Sequence, residues 1–159
     1  MIGQMQVLLR LKTMKEEQAL RALQAKRRQV ADGESAMERV QRIVAESEAT
    51  LEAREDALYE GILGQVVGLD ALDDTRGAVV DLEKGHARLT DAAERAAHTL
   101  HRLNGELETS VQTHRAATRV RDKYTIIRDD LRGQAEMEAT AKEENEVEEL
   151  FSKRRKEVV

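Results

Sequence analysis

Every seventh residue along the first part of the chain is apolar, through Ile2, Leu9, Leu23, Val30, Met37, Val44, Leu51 and Leu58, with Glu16 as the one interruption. A seven-residue apolar period holds one seam of a slightly underwound helix against a partner, which is the pattern of a left-handed supercoil. The companion line three residues on is Met5, Lys12, Ala19, Lys26, Gly33, Val40, Ser47, Arg54 and Gly61, and it is apolar only in places. The seam is therefore narrow and wet, and the helix that carries it is marginal alone.

A second heptad pattern supplies the partner. It runs Leu72, Val79, His86, Ala93, Leu100, Leu107, His114, with Thr75, Leu82, Leu89, Ala96, Leu103, Ser110, Ala117, Tyr124 and Leu131 interleaved at spacings of three and four. Between the two patterns, Gly61, Gly64 and Gly68 are the densest cluster of helix breakers, and Asp70, Asp73 and Asp74 suit a helix start. The expected fold is all-α: a single antiparallel two-helix coiled-coil hairpin, an elongated rod with arms of about 90 Å at the helical rise. The first helix is expected over residues 3–62, the tip over 63–69 and the second helix over 70–150, with a charged tail over 133–159. Folding about the tip sets Leu9 opposite Lys123 and Tyr124, and Val30 opposite Arg102 and Leu103. Pairing within the chain predicts a monomer when free. The segment beyond Arg132 overhangs; it is acidic from Glu136 to Glu149 and basic from Lys153 to Lys156, and it reads either as a frayed, solvated helix or as a partner-binding arm anchored by Phe151.

Composition reinforces the rod. Tyr59, Tyr124 and Phe151 are the only aromatic residues, 36% of residues are charged and there is no proline, which favours long helices over strands. The lack of cysteine removes disulfide frameworks and thiol catalysis and suits a reducing compartment, so a cytoplasmic location is expected. No apolar run is long enough to span a bilayer, and Met1 to Leu9 lacks a basic leader, so neither membrane insertion nor export is expected. A formal charge of −5 gives no bulk attraction to nucleic acid.

Catalytic chemistry finds no foothold. Carboxylate pairs abound, but acid–base work needs a cleft that separates their pKa values, and two helices enclose none. Phosphate-binding glycine loops and a nucleophile elbow are absent. His98 and His101, with Glu94, share a helix face and are the nearest approach to a metal site, but they lack ligands from a second segment. His86 and His114 fall on the seam line as tolerated edge residues, and Lys26, Arg27 and Arg28 read as a solvated face without stacking aromatics. The reading is a protein that is not an enzyme and uses no cofactor or metal.

Two surfaces remain as candidates for binding other proteins. At the tip, Tyr59, Ile62, Leu63, Val66, Val67 and Leu69 crowd apolar surface that two helices cannot bury, either as a partner site or as a local cluster capping the hairpin. At the open end, antiparallel pairing gathers Arg10, Lys12, Lys15, Arg119, Arg121, Lys123 and Arg128 around Leu8, Leu9, Leu11, Tyr124, Ile127 and Leu131. Either the seam thickens there or some of these apolar groups face outward.

The basic, leucine-rich start Val7-Leu-Leu-Arg-Leu-Lys12, the helix end Ala57-Leu-Tyr-Glu60, the tip Ile62-Leu-Gly-Gln-Val-Val67 and the charged C-terminal helix together resemble the YscO family of type III secretion proteins, the counterpart of the flagellar FliJ proteins. Where relatives often have proline after Gly-Gln this chain has Val66, and Gly68 stands where a serine-like cap is expected, which implies a looser turn. The resemblance implies a non-catalytic stalk that enters the hexameric secretion ATPase and also contacts the export gate protein and secretion chaperones, at the base of a secretion apparatus. It implies that Leu8, Leu9, Arg10, Leu11, Lys12, Lys15, Arg121, Lys123, Tyr124, Ile127 and Arg128 form the ATPase end. A generic coiled-coil tether or scaffold is the alternative.

Overall fold

In the computed structural model, which describes residues 1–158, two long helices account for nearly all of the chain: α1, Ile2–Glu60, and α2, Leu69–Glu157. α1 stops two residues before the expected end. The backbone N–H groups of Ile62 and Leu63 both donate to the Tyr59 carbonyl at 3.0 Å, which tightens the last turn. Gly64 then takes φ of +75°, a left-handed conformation that glycine adopts without a Cβ penalty. The Gly68 carbonyl accepts the first bond of α2 from Leu72 at 3.3 Å, so a glycine starts the helix where a hydroxyl-bearing cap was expected. Asp70 in that first turn complements the positive end of the helix dipole.

α2 runs past the expected end near residue 150, through the segment whose charge suggested fraying. Local chemistry accounts for the extension. No glycine follows Gly133, Glu138 precedes Lys142 and Glu149 precedes Lys153 at the favourable spacing of four, and Arg154, Arg155 and Lys156 occupy the last turn, where cations meet the negative dipole end. Helical structure also continues uninterrupted through Gly33, Gly77, Gly85, Gly105 and Gly133.

The packing divides into two units. The first described is Gln24–Thr109, which holds the tip. Val30, Val79 and Leu103 are its buried apolar side chains. A Cβ at Gly33 would lie 3.2 Å from Leu103 Cδ1 and 3.4 Å from Leu100 Cδ1, so the missing side chain lets the leucines of α2 close against α1. Lys26 Nζ reaches across to Glu106 Oε2 at 2.7 Å, and Arg102 reaches the other oxygen at 2.9 Å. These donors, Lys26 foremost, hold the Glu106 carboxyl below its ordinary value. Ser47, a polar position in the α1 seam, is buried and bonds His86 Nδ1 at 2.9 Å. Arg54 donates to the same hydroxyl oxygen at 2.9 Å.

The second unit combines Met1–Leu23 with Ser110–Val159. Leu23 is its best-buried apolar side chain. Glu16, the break in the heptad ladder, is only 9% exposed; it accepts from His114 Nε2 at 2.9 Å and forms an ion pair with Arg121 at 3.4 Å. Lys12 Nζ sits 5.5 Å from the centre of the Tyr124 ring, within cation–π range. Every described residue from Glu136 onward is exposed.

Candidate functional site

At the tip, the turn leaves several apolar side chains exposed. Val66 is as exposed as in an extended chain, at 107%, Leu69 is 79% exposed and Leu63 69%, while Tyr59 and Val67 are exposed more modestly. Ile62 alone among the expected six is half-buried. Val66, Leu69 and Leu63 thus face solvent, while Tyr59, Ile62 and Val67 are partly covered.

At the other surface, the second unit sorts the expected residues into two sets. Leu9, Lys12, Arg121, Tyr124, Ile127 and Arg128 are half-buried toward the seam, whereas Leu8, Arg10, Leu11, Lys15 and Lys123 are exposed. Arg121 is committed to Glu16 and to Asp122, whose carboxylate lies 2.9 Å away and holds the guanidinium above its ordinary value, and Arg128 is paired with Asp129 at 2.8 Å. Among the described residues, Arg10, Lys15 and Lys123 make no ion pair. Arg119, also exposed, makes none either.

Sequence reasoning missed four members of it: Val7, Met14, Val120 and Ile126 are exposed. Val7, Leu11 and Met14 follow one another at spacings of four and three, which is a second apolar stripe on α1 beside the seam. That spacing is the signal, and the more regular ladder through Ile2 and Leu9 on the neighbouring face masks it. A groove of about 410 Å³ runs along this part of α1, lined by Leu9, Arg10, Thr13, Met14 and Arg128 among others. It is shallow and open, suited to a protein side chain rather than to a small substrate.

Among the described residues, no group of three or more histidine, cysteine, aspartate or glutamate side chains is placed to hold a metal ion. His98 and His101 are both exposed. Among the described residues, no helix is long and apolar enough to cross a membrane. Both surfaces expose apolar side chains, with unpaired cations among them at one.

Comparison with known proteins agrees with the residues that suggested a family. The family model described as type III secretion protein YscO matches residues 5–153. The crystal structure of type III secretion protein YscO from Vibrio parahaemolyticus superposes with a TM-score of 0.86 over 93% of each chain, at 21% sequence identity, so the likeness shows the fold. No curated protein matches the chain.

Proposed function

We propose, from the premise that this chain belongs to the YscO family of type III secretion proteins, that within the secretion apparatus it is a non-catalytic stalk whose Met1–Leu23 and Ser110–Val159 unit engages the hexameric export ATPase. The observation that carries the reading is the pairing of outward apolar groups with free cations: Leu8, Leu11 and Met14 are exposed beside Arg10 and Lys15 on α1, and Ile126 beside Lys123 on α2. A two-helix seam does not need these apolar groups. Binding sites are built in this way, from a few anchors that become desolvated and a charged surround that steers the encounter. Tip residues Leu63, Val66, Val67 and Leu69 form the second contact, to the export gate protein or a secretion chaperone.

The mechanism follows from asymmetry. A two-helix element inside a ring of six identical subunits touches them unequally, and a contact that differs between nucleotide states shifts the balance of those states. Hydrolysis is thereby stimulated without any catalytic group from the stalk.

The test is the rate of ATP hydrolysis by the cognate ATPase with and without this protein. The parent stimulates. Reversing Arg10, Lys15 and Lys123 to Glu abolishes stimulation while thermal unfolding changes little, because unpaired exposed charges contribute within about 1 kcal/mol to stability. Lys12 is left intact, since its stack on Tyr124 would confound the stability readout. Stimulation by the triple variant equal to that by the parent would remove the ATPase assignment from this surface.

A further inference from the structure

Beyond Ala135 no residue of α1 remains to pair with α2, yet the helix continues to Glu157 and carries a new apolar line. Met137, Val147, Leu150 and Phe151 are all exposed, Met137 at 74% and both Leu150 and Phe151 at 65%. The seam positions inherited from the paired stretch become Glu138, Lys142, Asn145, Glu149 and Ser152, so the old seam has ended. The new line is displaced from it and has its own heptad: Met137, Glu144 and Phe151 in one register, with Thr140, Val147 and Arg154 in the other.

We propose that this arm is a self-association element, through which two copies of the chain pair antiparallel about a two-fold axis between Val147 and Phe151. The argument for a second copy as the occupant is charge complementarity. The arm is acidic over Glu143, Glu144, Glu146, Glu148 and Glu149 and basic over Lys153, Arg154, Arg155 and Lys156. Only an antiparallel partner with the same polarity of charge brings each half against its opposite, and an identical arm has that polarity by construction.

The apolar register agrees with the charge register. In antiparallel coiled coils the two seam positions face one another, and the register that sets Phe151 against Val147 of the other copy also sets Glu144 against Arg154 of the other copy, each twice by symmetry. Leu150 then meets its own copy beside the axis. The same register sets Glu148 against itself and Glu143 against Glu157, exposed repulsions that keep the association weak and reversible. The expectation of a free monomer rested on the α1–α2 seam, which this arm lies beyond.

Sedimentation equilibrium of the full chain from about 5 to about 500 µM reads the association directly. The parent is expected to approach a dimer at the upper concentrations. Arg154→Glu weakens self-association by at least about tenfold, as does Phe151→Ser. Combining Glu144→Arg with Arg154→Glu restores it to within about threefold of the parent, because the swapped charges meet again across the two-fold axis. Far-UV circular dichroism of each variant shows that α2 is retained. A parent that stays monomeric at the highest concentration overturns the proposal. So does a dimer that survives Arg154→Glu and is lost on Val66→Ser with Val67→Ser, which would place self-association at the tip, and so does a charge swap that fails to rescue.

Discussion

Glu16 occupies a seam position where a carboxylate loses hydration, and it is held there by two cationic or donating partners, a hydrogen bond from His114 and an ion pair with Arg121. Removing one donor leaves the charge undercompensated. His114→Ala is expected to destabilise by about 1–3 kcal/mol, measured by urea unfolding, while Glu16→Leu combined with His114→Leu is expected to be neutral or stabilising, because an apolar pair dispenses with the desolvation cost. The polar pair then has specificity as its use. Glu16 opposite His114, and Ser47 opposite His86, are satisfied in one alignment of the helices and stranded after a slip of one heptad. Each of these four residues stood out in the sequence: Glu16 as the broken rung, Ser47 as a polar rung of the companion line, and the histidines as polar seam positions. Their pairing did not stand out, since pattern alone places the helices only to within a few residues, and a histidine at a seam position looks the same whether or not a carboxylate faces it.

At the scale of the helices, the glycines separate into kinds that sequence alone cannot distinguish. Gly77, Gly85 and Gly105 have open space where a Cβ would be, so replacing each by alanine is expected to raise stability by about 0.5–1 kcal/mol. At Gly33 the same gain in helix propensity is opposed by Leu103, whose terminal methyl must shift by a few tenths of an ångström, so Gly33→Ala gains least among the helical sites. Gly64→Ala loses about 1 kcal/mol or more, because its backbone is left-handed. Thermal unfolding of the five single variants orders them. Heptad spacing made both helices legible, and the glycine cluster made the tip so. The length of α2 was less so: high charge suggested a solvated, fraying end, but charge density does not show whether acids and bases stand four residues apart with cations gathered at the helix C-terminus, which is what favours the helical state over Glu136–Glu157.

For the whole molecule, the two candidate surfaces belong to different packing units, and a variant in one is expected to leave the other working. Val66→Ser with Val67→Ser is expected to weaken binding to the gate protein or a chaperone, read by calorimetric titration, with helicity and ATPase stimulation unchanged, since both residues lie outside the helices. Unaltered binding would shift the partner site off the tip. The bare turn between α1 and α2 has a further consequence, for proteolysis. A protease needs several residues of extended, accessible backbone, and helices withhold it; between the two helices, the turn around Val66 offers it. A single cut there would sever the covalent link without removing any rung of the seam, so the two fragments would stay together under native conditions and part only in denaturant. The nicked form would lose the tip contact alone, and a cell could in that way disconnect one partner while the other remained held.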